Sequence, residues 1–358
     1  MTLAEEEWRR KNQWASDWMH QGIDLLPESS AEALERAVRC FDQAIALRRA
    51  LPLAENHFLR YGLSAGWVNR GDALSRLKRE GALAEAIQSY DEALVLLKSL
   101  PLEENLLYPR RLAITWINRG IALQMDPLRH GTEEAAECFR SAIGVLEHPS
   151  ASALADTLSL QAGAWINLAG TLAHAGEKPS EAARSAARRA LQLAQPSERT
   201  DLTLAEVALK ARHLLCRLVV REIVDKRPVS PDLRQEASGA ATDALLLARD
   251  WHLQGHPGFE GMAREIFRFG CRILGAGSPR LLARFLEECL KEKESHAAFP
   301  LDPETFAAAQ SAIWSALGHL QSGGFPMAGT TAFESFLSDI QELKKAEEQL
   351  KLRLAPGN

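Results

Sequence analysis

The sequence predicts an all-α protein built as an array of helix pairs, and three observations predict it. Four tryptophans keep one phase: Trp18, Trp67, Trp116 and Trp165 are each 49 residues apart. Downstream of each lies a second echo, Ala37/Phe41/Ala44, Ala86/Tyr90/Ala93, Ala135/Phe139/Ala142 and Ala183/Ala187/Ala190, whose spacing puts all three residues on one helical face. The 358 residues include only nine valines and three tyrosines, set among long Ala/Leu/Glu/Arg stretches that do not favour sheet. A phase held through four copies marks a repeat architecture.

Each unit parses as two helices. The first pairs a helix near 3–26 with one near 30–49, the latter opened by Ser29-x-x-Glu32 as a capping box. The second pairs about 54–79 with 82–99 around a turn at Gly81. The third pairs about 104–126 with 132–147, where Thr132 precedes two glutamates at a favourable N-terminus. The fourth pairs about 152–175 with 180–194, broken by Gly176 and Pro179. Beyond 195 the register slips: Leu214 falls 49 residues after Trp165 without Trp, Asn or Gly around it. Ser230-Pro231 and Ser278-Pro279 still read as helix starts, with proline in the first turn. Asp302-Pro303 opens a helix containing Trp314-x-x-Leu317-Gly318, and residues 331–354 form the last one. The expectation is about seven helix pairs, four regular repeats over residues 1–195 and divergent ones over 196–358, in one solenoid.

Composition narrows the function. Forty-two basic against 47 acidic side chains leave a formal charge of −5, which argues against nucleic-acid binding. No run approaches the roughly 18 apolar residues of a membrane helix, and the acidic start Met1-Thr-Leu-Ala-Glu-Glu-Glu has no signal-peptide pattern. Five scattered cysteines without a C-x-x-C pair fit reduced, buried thiols. The expected setting is therefore cytoplasmic.

The motif Trp67-x-Asn-x-Gly71, followed by Ala86, Tyr90 and Ala93, resembles the tetratricopeptide repeat (TPR). Gly22, Gly71 and Gly120 stand where that family needs helices to approach closely, with Phe or Tyr on the second helix filling the matching surface. This chain departs from the family in its period of 49 instead of 34, and in having Arg70 and Arg119 where the family has Leu; only repeat four has Leu168. The resemblance covers 1–195, fades afterwards, and implies a right-handed TPR-like α-solenoid.

Asn69, Asn118 and Asn167 each follow their Trp by two residues. Asn is a mediocre residue inside a helix, so its recurrence has two readings. The amides tie neighbouring repeats together, or they line the concave groove and bond the main chain of a partner; the resemblance implies the second. His20 and Cys216 hold the matching positions in repeats one and five. One and two turns away on the same face lie Gly62, Ala65 and Arg76, then Arg111, Ile114 and Met125, then Gly163, Gly170 and His174. Arg76 and Arg111 are suited to a carboxylate or phosphate.

Catalytic and metal motifs are lacking. His252-x-x-x-His256 has helical ligand spacing but is flanked by Gly255 and Pro257, which favours a loop. No nucleophile elbow, Walker loop or dinucleotide turn occurs. The predicted function is a non-catalytic scaffold or adaptor, without cofactor or metal, holding a protein or peptide partner at Asn69, Asn118, Asn167, Arg76, Arg111, His174 and His20. Two alternatives stand beside it: a regulatory receptor for a short peptide or small ligand, and an enzyme with its site in the divergent C-terminal half. The apolar stripe Phe333, Phe336, Leu337, Ile340, Leu343, Leu350 and Leu354 reads as a terminal cap or as a partner helix.

Overall fold

The computed structural model describes residues 3–54, 56–126, 132–151, 156–175, 181–275, 279–290, 303–322 and 331–352. Among them are fourteen α-helices and no strand, and no described helix is long and apolar enough to cross a membrane. The chain divides into two compact units, Met1–Ala175 and Gly176–Asn358. Unit 1 contains α1 (Leu3–Leu25), α2 (Ala31–Arg49), α3 (His57–Arg76), α4 (Ala82–Lys98), α5 (Leu107–Met125), α6 (Thr132–Glu147) and α7 (Thr157–His174). Unit 2 contains α8 (Glu181–Ala194), α9 (Leu202–Val224), α10 (Pro231–Leu253), α11 (Glu260–Gly275), α12 (Pro279–Leu290), α13 (Pro303–Ser322) and α14 (Thr331–Leu352).

The helix starts are set by local chemistry. Ser30, not Ser29, caps α2: its side chain accepts from the Ala33 N–H at 3.2 Å. The reason is the short 3-10 turn Leu26–Glu28, which uses Ser29 as its left-handed terminus (φ 54°) and moves the cap one residue on. Asn56 and Asp201 cap α3 and α9 in the same way, and Ser230 caps α10 ahead of Pro231. Gly81 turns the chain into α4 at φ 76°, a region open to glycine. Ser278 lies outside the described residues.

In unit 1 each helix packs on the next in sequence, and α3 also touches α5 and α5 touches α7. Close approach within a pair is enforced by the repeated glycine. A Cβ on Gly22 would meet the Phe41 ring at 2.5 Å, one on Gly71 the Tyr90 ring at 2.6 Å, and one on Gly120 the Phe139 ring at 2.8 Å. Those three aromatic rings are fully buried. Unit 2 repeats the device at Gly270, where a Cβ would meet Phe285 at 2.5 Å. This likeness in the divergent half went unseen in the sequence because its spacing is 15 residues instead of 19.

Successive pairs are joined by apolar and polar contacts. Trp67 and Trp116 are half-buried against a cluster of Val68, Ala93, Leu94, Leu97, Leu100, Tyr108 and Leu112. Each also lies under a cation from the preceding pair, Arg49 at 4.8 Å and Lys98 at 4.5 Å. Trp165 is half-buried like them, but the matching position is Glu147. Arg70 and Arg119 are clamps. Arg70 donates to Asp42 of the previous pair at 2.7 Å and to Ser89 of its own at 2.8 Å. Arg119 donates to Asp91 at 2.7 Å, Glu134 at 2.6 Å and the Cys138 sulfur at 3.1 Å. Repeat four has Leu168 in place of the arginine and Arg140 in place of the aspartate, so the clamp is lost on both sides together.

In unit 2, α14 packs on α12 and α13. Leu343, Ala346 and Leu350 are buried there, while Leu337 is 43% exposed, and Arg280 of α12 pairs with Asp339. The apolar stripe thus acts at least in part as a cover for the preceding helices. The Phe333 and Phe336 side chains and Leu354 lie outside the described residues.

Candidate functional site

The first helices of unit 1, α1, α3, α5 and α7, carry the asparagine row. Asn69, Asn118 and Asn167 are all half-buried, but their amides are not used alike. Asn118 Nδ2 donates to Asp72 Oδ1 at 2.9 Å, and the Tyr90 hydroxyl donates to the same oxygen at 2.7 Å. Asn118 therefore ties the third pair to the second. Asp72 lies three residues after Asn69, and the matching positions in the first and third pairs are Ile23 and Ile121. An isoleucine offers no acceptor. Among the described residues, the Asn69 and Asn167 amides accordingly make no hydrogen bond.

Burial pushes the Asp72 carboxyl up from its usual range, against the opposing pull of Tyr90, Asn118, and the Arg111 and Arg76 charges. Tyr90 is likewise pushed up by burial and by the Asp72 charge.

The other expected residues separate into tied and free ones. Arg76 is exposed but anchored, donating to the Leu26 carbonyl at 2.8 Å and to Ser29 Oγ. It fastens the turn after α1. Arg111 is half-buried and lies over the Tyr61 ring at 4.5 Å, with its buried Nε lacking a hydrogen-bond partner. Tyr61 in turn packs on Tyr108 at 5.3 Å. His174 is exposed and its ring Nδ1–H donates back to the Gly170 carbonyl at 2.7 Å. His20 is exposed at the α1 end of the row. A side chain at Gly163 or Gly170 would meet open space within 4 Å, so the surface beside Asn167 is unfilled.

Two residues beside this face were not anticipated. Arg48 of α2 is buried, 7% exposed. Its Nη1 donates to the Gly62 carbonyl at 2.7 Å, its Nη2 to Ser16 Oγ at 3.1 Å and its Nε to Asn12 Oδ1 at 3.4 Å. Burial, and then the neighbouring Arg111 charge, push Arg48 below the usual arginine range. The signal was present in the sequence: the matching positions in the next two repeats are Leu97 and Leu146. Asp72 breaks the phase in the same way, between Ile23 and Ile121.

Eleven residues before Asn69 and Asn118, on the same helical face, stand Phe58 and Leu107, 68% and 49% exposed. Met125, two turns after Asn118, is 55% exposed. The face is thus polar along the asparagine row and apolar towards its margins.

In unit 2, α9, α11 and α13 border clefts of 840 and 690 Å³ that share Glu265 and Arg268. Two pairs of their polar groups satisfy each other. His213 Nε2 lies 2.7 Å from Glu265, its ring packs on Phe269 at 5.3 Å, and Arg268 pairs with Glu304. Burial lowers the His213 pKa, against the pull of Glu265. Deeper in the unit, Arg212 and Glu198 form a buried bidentate pair at 2.7 and 3.0 Å, and Trp251 Nε1 donates to the Glu198 carbonyl at 2.9 Å. His252 pairs with Glu260 at 2.7 Å while His256 packs on Trp251, so the two histidines take separate partners. Among the described residues no group of three or more His, Cys, Asp or Glu side chains is placed to hold a metal.

Compared with known proteins, the chain matches no family model and no curated sequence.

Proposed function

We propose that the chain is a TPR-like, right-handed α-solenoid of about seven helix pairs, cytoplasmic, and that it serves as a non-catalytic scaffold. The asparagine face of α1, α3, α5 and α7 is the concave groove, and its occupant is an extended segment of a partner protein. The observation that carries this reading is the pair of half-buried, unbonded amides at Asn69 and Asn167, held in phase on either side of Asn118. An amide offers both a donor and an acceptor, so it can bond any peptide backbone whatever the side chains. The exposed Phe58, Leu107 and Met125 add apolar surface along the margins for side chains of the segment. Asn118, tied to Asp72, stiffens the wall between the two free amides.

The test is site-specific photo-cross-linking of the full chain in extract of its own cells. A photoreactive residue at Ile114, on the groove face, should capture one discrete partner. The same residue at Val95, 71% exposed on α4, should not. Asn69→Ala with Asn167→Ala should abolish the Ile114 cross-link without lowering the melting temperature, because neither amide is bonded among the described residues. Equal capture from both positions, or capture indifferent to the two asparagines, refutes the groove.

A further inference from the structure

The joint between successive pairs of unit 1 uses a fixed set of positions, and α1 carries those positions exposed. In the third pair they are Tyr108, Leu112 and Trp116, packed on Ala93, Leu94, Leu97 and Leu100 of the pair before. In the second they are Leu59, Leu63 and Trp67, and a Cβ on the nearby Gly66 would lie 3.0 Å from Ile45 of α2. The matching residues of α1 are Arg10, Trp14, Trp18 and, for Gly66, Asp17. Leu63 and Leu112 are 3% and 4% exposed, whereas Trp14 is 51% and Trp18 37% exposed. Among the described residues α3 packs on both α2 and α4, while α1 packs mainly on α2.

The chemistry of this face is not that of one more repeat joint. Leu59 and Tyr108, like Gly66 and Thr115, are buried, so a further pair of the same kind would strip water from Arg10 and Asp17. The clamp is altered too: Gln21 stands in place of Arg70 and Arg119, and Arg36 in place of Glu85 and Glu134. What remains is a stripe of Glu7, Arg10, Trp14, Trp18, Gln21 and Leu25, at steps of three and four residues. The Arg10 guanidinium is already turned onto it, 5.6 Å over the Trp14 ring, and makes no ion pair among the described residues. Trp18, Gln21 and Leu25 border a cleft of 960 Å³ whose other wall carries Arg36 and Arg39 of α2.

We propose that this face binds the same face of a second copy, the two α1 helices lying antiparallel across a two-fold axis at Trp14. The stripe is symmetric about that residue, four residues to Arg10 and Trp18 and seven to Glu7 and Gln21, so it is complementary to itself. Trp14 of one copy meets Trp14 of the other. Arg10 of each lies opposite Trp18 and beside Asp17 of the other, which repeats the chemistry of the interior joints: a cation over the tryptophan and an arginine–aspartate pair. Glu5 and Glu6, in the first turn of α1, come level with the cleft of the other copy, where Arg36 and Arg39 supply the opposite charge. α1 has 23 residues and is about 35 Å long; with the bordering edge of α2 it is about 20 Å wide. That offers about 700 Å² per copy, close to the ~800 Å² that a standard interface takes from each partner. Exposed tryptophans at the centre and charges at the rim are the usual anatomy of such a contact. The surface is independent of the groove.

The test is the mass of the full chain in solution, measured by sedimentation equilibrium at concentrations up to about 100 μM. The wild type should approach twice 39.5 kDa, and Trp14→Ala with Trp18→Ala should stay near 39.5 kDa throughout. Arg10→Glu alone and Asp17→Arg alone each set like charges against each other across the axis, and each should dimerise at least about 10-fold more weakly. An equimolar mixture of these two variants should regain the dimer, because both contacts between positions 10 and 17 then join opposite charges. Such recovery also shows that both variants are folded. A wild-type mass of 39.5 kDa at every concentration overturns the proposal. So does a dimer that survives loss of both tryptophans, or charge variants that pair no better mixed than alone.

Discussion

Gly71→Ala tests whether close approach of helix to helix is what the repeated glycine provides. The added Cβ would sit 2.6, 2.8 and 2.9 Å from three atoms of the Tyr90 ring. Ordinary van der Waals contact for a Cβ begins near 3.4 Å, so the ring must retreat by about 0.8 Å, the difference between 3.4 and 2.6. It has little freedom to do so: the ring is 1% exposed and its hydroxyl is fixed to Asp72 at 2.7 Å. Overpacking of this kind costs about 1–3 kcal/mol, and weakening the hydrogen bond adds about 1 kcal/mol. Against this, alanine gains about 1 kcal/mol over glycine in a helix interior. The net expectation is a loss of about 2 kcal/mol, equivalent to a fall in melting temperature of about 4–8 °C for a unit of this size. Gly144 of α6 is the control, since a Cβ there meets nothing within 4 Å; Gly144→Ala should gain up to about 1 kcal/mol. Gly120→Ala faces Phe139, whose ring has no hydroxyl to anchor it, and should cost less than Gly71→Ala. Urea unfolding followed by tryptophan fluorescence measures all three. A Gly71→Ala protein as stable as the wild type, with Tyr90 still buried, would refute the close-approach argument.

Three further outcomes follow from the same structure. Asp72 has its folded pKa raised by burial, so the fold binds its proton more tightly than the unfolded chain and loses stability as pH rises from the ordinary carboxylate range through the raised value. Asp72→Asn keeps an oxygen for Tyr90 and Asn118; it should therefore be at least as stable as the wild type at neutral pH, with the gap closing as pH falls from the raised value and gone by about pH 4. A wild type that instead gains stability over Asp72→Asn as pH rises would reverse the sign and defeat the assignment. For the inter-repeat clamp, a double-mutant cycle of Arg119→Leu and Asp91→Ala should give a coupling near 1 kcal/mol, modest because Asp91 is half exposed; additive effects would show that the clamp contributes nothing. Leu343→Ala, at a fully buried contact of α14, should destabilise the C-terminal unit by about 2–4 kcal/mol. An unchanged melting profile would mean that α14 does not serve as a cover.

The sequence by itself determined the helices and their phase. Period and capping chemistry are local, and so helix limits such as 57–76 against the expected 54–79 differ mainly at frayed ends. The glycine–aromatic partnership was legible too, because Gly71 and Tyr90 are repeated at a constant distance along the chain. What only the tertiary structure decided is which of three identical asparagines is spent inside the protein. Asn118 is bonded because Asp72 stands across from it, whereas Asn69 and Asn167 face isoleucine positions; that pairing spans 46 residues. The clamps at Arg70 and Arg119 depended on the same kind of contact, since an arginine inside a helix gains its role only beside Asp42 and Asp91. Arg48 shows the limit most clearly. Its sequence position marks it as an intruder in a leucine site, but its guanidinium reaches Gly62 of α3 and Asn12 and Ser16 of α1 only because α2 packs against both helices, and that packing is a property of the whole unit, not of any one helix.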